Sequence, residues 1–168
     1  MHSELLGCGQ TSEGQLGVRL SEPMIKVPER IIGAPSDSAG TAVKIVACGE
    51  QHTLFLTKDG KMWSVGNNND GQLGRGKRSE GSFSIYPVSL TSGVEIVQIS
   101  AGRAHSVAVA DDGRVFAWGS NEHGQLGMES SIVRQEAPKR IKGLNEVVQV
   151  ASGSDHCIAL TEVSLTEI

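Results

Sequence analysis

The 168-residue sequence has no run of 18 or more apolar residues, so it offers no candidate for a membrane-crossing helix. It is poor in aromatics, with two Trp, one Tyr and three Phe, and its charges nearly cancel to leave a net −4. That balance excludes a global electrostatic pull toward nucleic acid or anionic lipid, and neither is expected as a partner. The densest basic group, Arg75, Lys77 and Arg78, reads as a solvated loop. Three cysteines, Cys8, Cys48 and Cys157, form neither an even disulfide set nor a metal-ligand spacing and read as free thiols. The opening residues, MHSELLGCGQ, lack the basic and apolar stretches of a secretion signal. The expected setting is therefore reducing and cytoplasmic, with the nucleus as a second compartment.

What the sequence has in quantity is glycine, 21 residues, and the glycines recur at fixed places. The block GQLG starts at Gly14, Gly71 and Gly124, 57 and 53 residues apart. Gly-x-x-His starts at Gly49, Gly102 and Gly153, 53 and 51 apart, and Asp-Gly falls at residues 59–60 and 112–113, again 53 apart. Three markers sharing one period establish an internal repeat.

Each unit reads as four short strands. A β-branched run precedes each Gly-x-x-His (AVKIVACG, EIVQISAG, EVVQVASG), and a second, charge-poor run follows it (TLFLT, SVAVA, CIALT). Continuously apolar runs of this length suit strands covered on both faces. Asp-Gly then closes a hairpin as a tight two-residue turn, leading into KMWSVG or RVFAWG. The fourth strand is sought in YPVSL (residues 86–90) and APKRI (137–141), with Pro87 and Pro138 suiting an outer edge. Four hairpin-linked strands per ~50 residues define a propeller blade better than a solenoid coil.

Gly-x-x-His, Asp-Gly, an aromatic-rich strand ending in Gly, and x-Asn-x-x-Gly-Gln-Leu-Gly together resemble the regulator of chromosome condensation repeat family. In layout the chain is similar to the N-terminal propellers of HECT-type ubiquitin ligases. The resemblance implies an all-β, partial and open β-propeller of about three four-stranded blades, from a family of seven-bladed rings. Residues 1–42 read as a partial blade with a long loop, 43–92 and 93–144 as full repeats, and 145–161 as the start of another. Residues 5–9 align with 62–66 and 115–119, so the chain starts at a third strand. Residues 162–168 lack the expected Asp-Gly and read as foreign to the repeat, as in a truncated or alternatively spliced form.

The repeated residues are read as frame: Gly49, Gly102 and Gly153; His52, His105 and His156; Gly66 and Gly119; Gly71, Gly74, Gly124 and Gly127; and Leu73 and Leu126, which with Leu16 plug the gap to the next blade. Each histidine is expected to bond across its own turn, between strands one and two. Trp63 and Trp118 are read as core. Cys48, aligned with Ala101 and Ser152, is read as a packing cysteine, and Cys157, aligned with Thr53 and Ser106, as inert. GQLGRGK (residues 71–77) matches the spacing of a phosphate-binding loop, but Arg78 stands where the hydroxyl would be, and GQLG recurs without the lysine. No catalytic residue, cofactor site or metal site is expected.

If the frame is constant, recognition belongs to what varies. The residues within the Gly-x-x-His turns, Glu50, Gln51, Arg103, Ser154 and Asp155, are the candidate partner-binding set. In the family's founding member this face resembles a platform that meets a small GTPase and promotes nucleotide release. The resemblance thus implies a regulatory protein-interaction module with a GTPase or ubiquitin-pathway partner, or alternatively a guanine-nucleotide exchange factor or a fragment of a repeat-containing ubiquitin ligase. Residues 18–41 and 76–86 are read as long polar loops on the scaffold. Open blade faces also predict self-association.

Overall fold

The computed structural model describes residues 4–17, 23–31, 33–35, 42–90 and 93–162. Within them are twelve strands and no helix long and apolar enough to cross a membrane. The residues predicted to be foreign to the repeat lie, from 163 onward, outside the described part, as do residues 18–22, 32 and 36–41 of the first predicted loop.

Two complete antiparallel sheets carry the fold. The first joins β3 (Val43–Cys48), β4 (His52–Thr57), β5 (Met62–Gly66) and β6 (Ser82–Val88) in sequence order. The second joins β7 (Ile96–Ala101), β8 (His105–Ala110), β9 (Val115–Ser120) and β10 (Arg134–Arg140) in the same way. Two half-sheets flank them: β1 (Leu6–Gln10) with β2 (Met24–Arg30), and β11 (Val147–Ser152) with β12 (Cys157–Thr161). The described residues form an all-β row of propeller blades, two of them four-stranded and two of them two-stranded.

The second strands occupy the middle of each blade. All six positions of β4 and of β8 are buried, as their charge-poor sequences imply. Alternate residues serve opposite neighbours. Leu54, Leu56 and Met62 meet Ile99, Ala108, Phe116 and Trp118 between the two complete blades. Val107, Val109, Val115 and Ala117, from the other face of the second blade, meet Leu126, Val147 and Val150.

The Asp-Gly hairpins differ from the two-residue turn expected. Gly60 N–H donates to the Thr57 carbonyl at 3.0 Å, and Thr57 N–H to the Lys61 carbonyl at 2.9 Å. Gly113 and Ala110 repeat the pattern with Ala110 and Arg114. These are three-residue loops, a type I turn closed by a glycine at positive φ, so only Gly60 (φ 76°) and Gly113 (φ 77°) need the left-handed region. The fourth strands are longer than YPVSL and APKRI, each having seven residues, and both predicted loops contain strand: β2 in the first, the start of β6 in the second. Register shifts in the pairing of β6 and β10 with their neighbours mask the alternation that sequence reading relies on.

Two packing expectations need correction. Trp118 is fully buried, but Trp63 is only half-buried, and Cys48 is exposed rather than packed. Leu16 is likewise half-buried, whereas Leu73 and Leu126 are buried.

Candidate functional site: the Gly-x-x-His turns

Each turn links a first strand to a second. Gly49, Gly102 and Gly153 donate their N–H groups to the carbonyls of His52, His105 and His156 at 2.8–2.9 Å, closing tight hairpins. The imidazole then folds back over the glycine: a Cβ on any of the three would run into the ring of its own histidine. Glycine is required here by contact, not by φ.

The histidines do not bond across their own turns. His52 Nε2 lies 2.9 Å from Ser106 Oγ in the following blade, and Ser106 Oγ donates onward to the Gln72 carbonyl at 2.9 Å. Because the hydroxyl proton goes to Gln72, His52 Nε2 is the donor and the ring is the Nε2–H tautomer. Trp118 Nε1–H reaches the same Gln72 carbonyl at 2.8 Å. The GQLG loop of one blade is thus pinned to the second and third strands of the next. Thr53 Oγ1 pins the preceding loop equivalently, donating to the Gln15 carbonyl at 2.7 Å. Burial, reinforced by the neighbouring His105, pushes the His52 pKa down to about 3. Its Nδ1 has no hydrogen-bond partner.

The next seam departs from this pattern. His105 Nε2 meets Cys157 Sγ at 3.0 Å, the thiol standing where Ser106 and Thr53 carry hydroxyls. Burial pushes the His105 pKa down to about 4 and the Cys157 thiol up, so neither group is an activated base or nucleophile at neutral pH. Gln125, the counterpart of Gln72, has its Nε2 buried without a partner, whereas Gln72 Nε2 donates to Asn67 Oδ1 at 3.1 Å. Ser120 occupies the position of Asn67 and is too short to accept it. Beside Gln125 and Leu126 lies a cavity of about 410 Å³, bounded by Val107, Ala117, Cys157 and Ala159. One seam earlier, Phe116 and Trp118 fill the corresponding space.

At the turn tips the structure brings most of the candidate set together. Glu50, Arg103 and Ser154 are exposed, with Gln51 and Asp155 half-buried. Glu50, Arg103 and Ser154 rim a shallow depression of about 370 Å³ across three consecutive turns. Arg103 bonds Asp155 Oδ1 through Nε (2.9 Å) and a terminal nitrogen (2.7 Å), while Ser154 Oγ donates to Oδ2 at 2.9 Å. Hydrogen bonding by Arg103 holds the Asp155 carboxyl below its ordinary range, and Asp155 in turn raises Arg103. Asp155, one of the candidate partner-binding residues, is therefore engaged by Arg103 of a neighbouring blade. Gln51 contributes its carbonyl to the frame, accepting Asn67 N–H at 2.8 Å. Among the described residues, no group of three or more His, Cys, Asp or Glu is placed to hold a metal. Asn68 Nδ2 donates to the carbonyl of Lys77 at 2.9 Å, tying the phosphate-loop look-alike into the frame. The seam network and the cavity were missed in the sequence. The signal for the network was the hydroxyl, hydroxyl, thiol series immediately after the three histidines, Thr53, Ser106 and Cys157.

Fold, repeat and turn geometry define a class, and comparison with known proteins agrees. The regulator of chromosome condensation (RCC1) repeat matches residues 3–56, 59–109 and 112–160. The chain belongs to this repeat family. It is 36% identical over 165 residues to human "Probable E3 ubiquitin-protein ligase HERC6", covering 94% of this chain and 15% of that protein. It is 34% identical over 165 residues to the human regulator of chromosome condensation, covering 94% of this chain and 36% of that protein. Prp20p from Saccharomyces cerevisiae, described with its binding properties to Gsp1p and histones, superposes with a TM-score of 0.77 at 25% identity, covering 96% of this chain and 40% of that one. The chain spans well under half the length of each.

Proposed function

We propose that the chain is a non-catalytic docking module whose recognition face is the row of Gly-x-x-His turns. The partner is a protein of the small-GTPase or ubiquitin pathway. One observation carries this reading: three successive turns are fixed to one another from below by the histidine network, while Glu50, Arg103 and Ser154 remain exposed around one depression. A pre-organised polar surface of this kind loses little conformational freedom on binding. Relatives in both pathways support the partner class. Guanine-nucleotide exchange is the second reading, favoured by the likeness to the regulator of chromosome condensation and opposed by the engagement of Asp155 with Arg103.

The test is a binding screen against immobilised small GTPases and ubiquitin-conjugating enzymes, by interferometry. Saturable binding to one of them is expected, lost in the Glu50→Lys/Arg103→Glu variant with its unfolding midpoint unchanged. Binding that survives this double change refutes the turn face. Accelerated nucleotide release, abolished by Glu50→Ala with Asp155→Ala, moves the conclusion to the second reading.

A further inference from the structure

The outer strands of the two complete blades match in backbone and differ in chemistry. Gly66 pairs with Ser82 as Gly119 pairs with Gln135, and Ser64 with Tyr86 as Ala117 with Lys139. Arg75 and Tyr86 of the first blade therefore correspond to Met128 and Lys139 of the second, and Pro87 and Ser89 to Arg140 and Lys142. In the first blade the Arg75 guanidinium lies 4.9 Å from the centre of the Tyr86 ring. It also donates to the Ser64 carbonyl at 2.8 Å, so that it fills the space between loop and outer strand. In the second blade that pair is replaced, and a groove of about 270 Å³ opens in its place.

The apolar lining of the groove is Met128, Ile132 and Ile141. Its rim is basic: Lys139, Arg140 and Lys142 are all exposed, against a single acid, Glu129. Arg140 bonds Asn145 at 3.2 Å and lies within electrostatic reach of Asp112. Lys139 and Lys142 have no ion pair among the described residues. On a chain of net charge −4, this cluster reverses the overall sign locally. We propose that the groove docks an acidic segment of another protein, with one large apolar side chain of that segment seated on Met128, Ile132 and Ile141. The groove shares no residue with the depression at the turns, and its occupant is independent of the turn-face reading above.

Size and charge together select this occupant. The groove falls below the roughly 300–1,000 Å³ of small-molecule sites and suits one side chain better than a whole ligand. The flexible thioether of Met128 adapts to the shape of what enters. A nucleic-acid backbone has nothing to bury against an apolar lining, whereas a peptide can carry both the acids and the anchor. The rim cations then speed the encounter with acidic partners and reject basic ones. The place also stays open where another blade follows. Tyr86 stands in the blade that precedes a complete neighbour and is still 51% exposed, and Pro87 and Ser89 are exposed beside it.

The probes are labelled acidic peptides with one central Leu, Ile, Phe or Trp, titrated with the 168-residue chain and followed by fluorescence anisotropy. Saturable binding of at least one is expected. It should weaken roughly tenfold or more when the central residue is Ala, or when Lys139→Glu and Lys142→Glu reverse the rim. Met128→Arg with Lys139→Tyr installs the pair of the first blade and closes the groove with net charge unchanged, so binding should be lost and the urea midpoint kept. Glu50→Lys with Arg103→Glu, which disrupts the turn face, should leave peptide binding unchanged, so the two readings fail separately. Methyl resonances of Met128, Ile132 and Ile141 should shift on binding. The proposal is overturned by any of four results. These are no saturable binding up to about 1 mM, equal binding of the Ala peptide, equal binding of duplex DNA or phosphatidylserine vesicles, and binding that survives Met128→Arg with Lys139→Tyr.

Discussion

Replacing Ser106 with alanine should destabilise the chain by about 3 kcal/mol, a large fraction of the roughly 5–15 kcal/mol that holds a domain of this size folded. Ser106 is fully buried, and its hydroxyl links His52 to Gln72 across the seam between the complete blades. Without it, His52 Nε2–H has no acceptor in a site closed to water, which costs about 1–3 kcal/mol. The Gln72 carbonyl keeps Trp118 Nε1–H as a donor, so its loss is the smaller one, about 1 kcal/mol. Urea unfolding is the assay: the midpoint should fall while the slope stays fixed, since the surface exposed on unfolding is unchanged. Ser106→Cys should lose less, because a thiol meets a histidine in this way at the next seam. In a His52→Leu background the orphaned donor no longer exists, and Ser106→Ala should cost only about 1 kcal/mol. A loss below about 0.5 kcal/mol in the wild-type background, no more than an ordinary surface change, would refute the claim that this hydroxyl bridges the seam.

Ser120→Asn should stabilise by about 1 kcal/mol in the same assay, because it restores an acceptor for the orphaned Gln125 Nε2 as Asn67 does for Gln72. Gly119→Ala should destabilise by about 2 kcal/mol or more, because φ is 100° and the added Cβ runs into the Ala104 carbonyl; a smaller loss would count against the tight approach of that loop. Stability should also depend on pH through His52 and His105, whose folded pKa values of about 3 and 4 lie below the ordinary 6.5. It is fully present above pH 6.5 and falls as the pH drops toward 4, because the unfolded chain takes up protons that the folded chain refuses, by up to about 1.4 kcal/mol per pH unit for each histidine. Urea midpoints at pH 7, 6 and 5 measure this, and a flat profile would show that the rings are not buried neutral.

The architecture was legible because its markers are residues with narrow physical roles. Glycine was needed at Gly49, Gly102 and Gly153 to make room for a ring, and at Gly60 and Gly113 to close a hairpin. Of the three second strands read from their unbroken apolar sequence, β4 and β8 are completely buried, whereas β12 is exposed or half-buried at every position because it stands in a half-sheet. What escaped is relational. A histidine in a sequence gives no sign whether its partner sits across its own turn or one repeat further on, and here the partner is 54 residues away. Trp63 was read as core from the apolar area of its ring and Cys48 as packed from its alignment with Ala101 and Ser152, but Trp63 and both of those counterparts are only half-buried and Cys48 is exposed. Asp155 was found as an acidic residue, but its engagement with Arg103 depends on two turns meeting in space.

The thiol at position 157 also sets an order of release. Sulfur is a weak partner for an imidazole, so the last seam is fastened less firmly than the one centred on Ser106. Fraying should therefore start at β12 and travel inward, with its amides the earliest to take up deuterium and those of β4 and β8 the last. A single exchange of oxygen for sulfur would thereby give a chain of near-identical units a direction in which it comes apart.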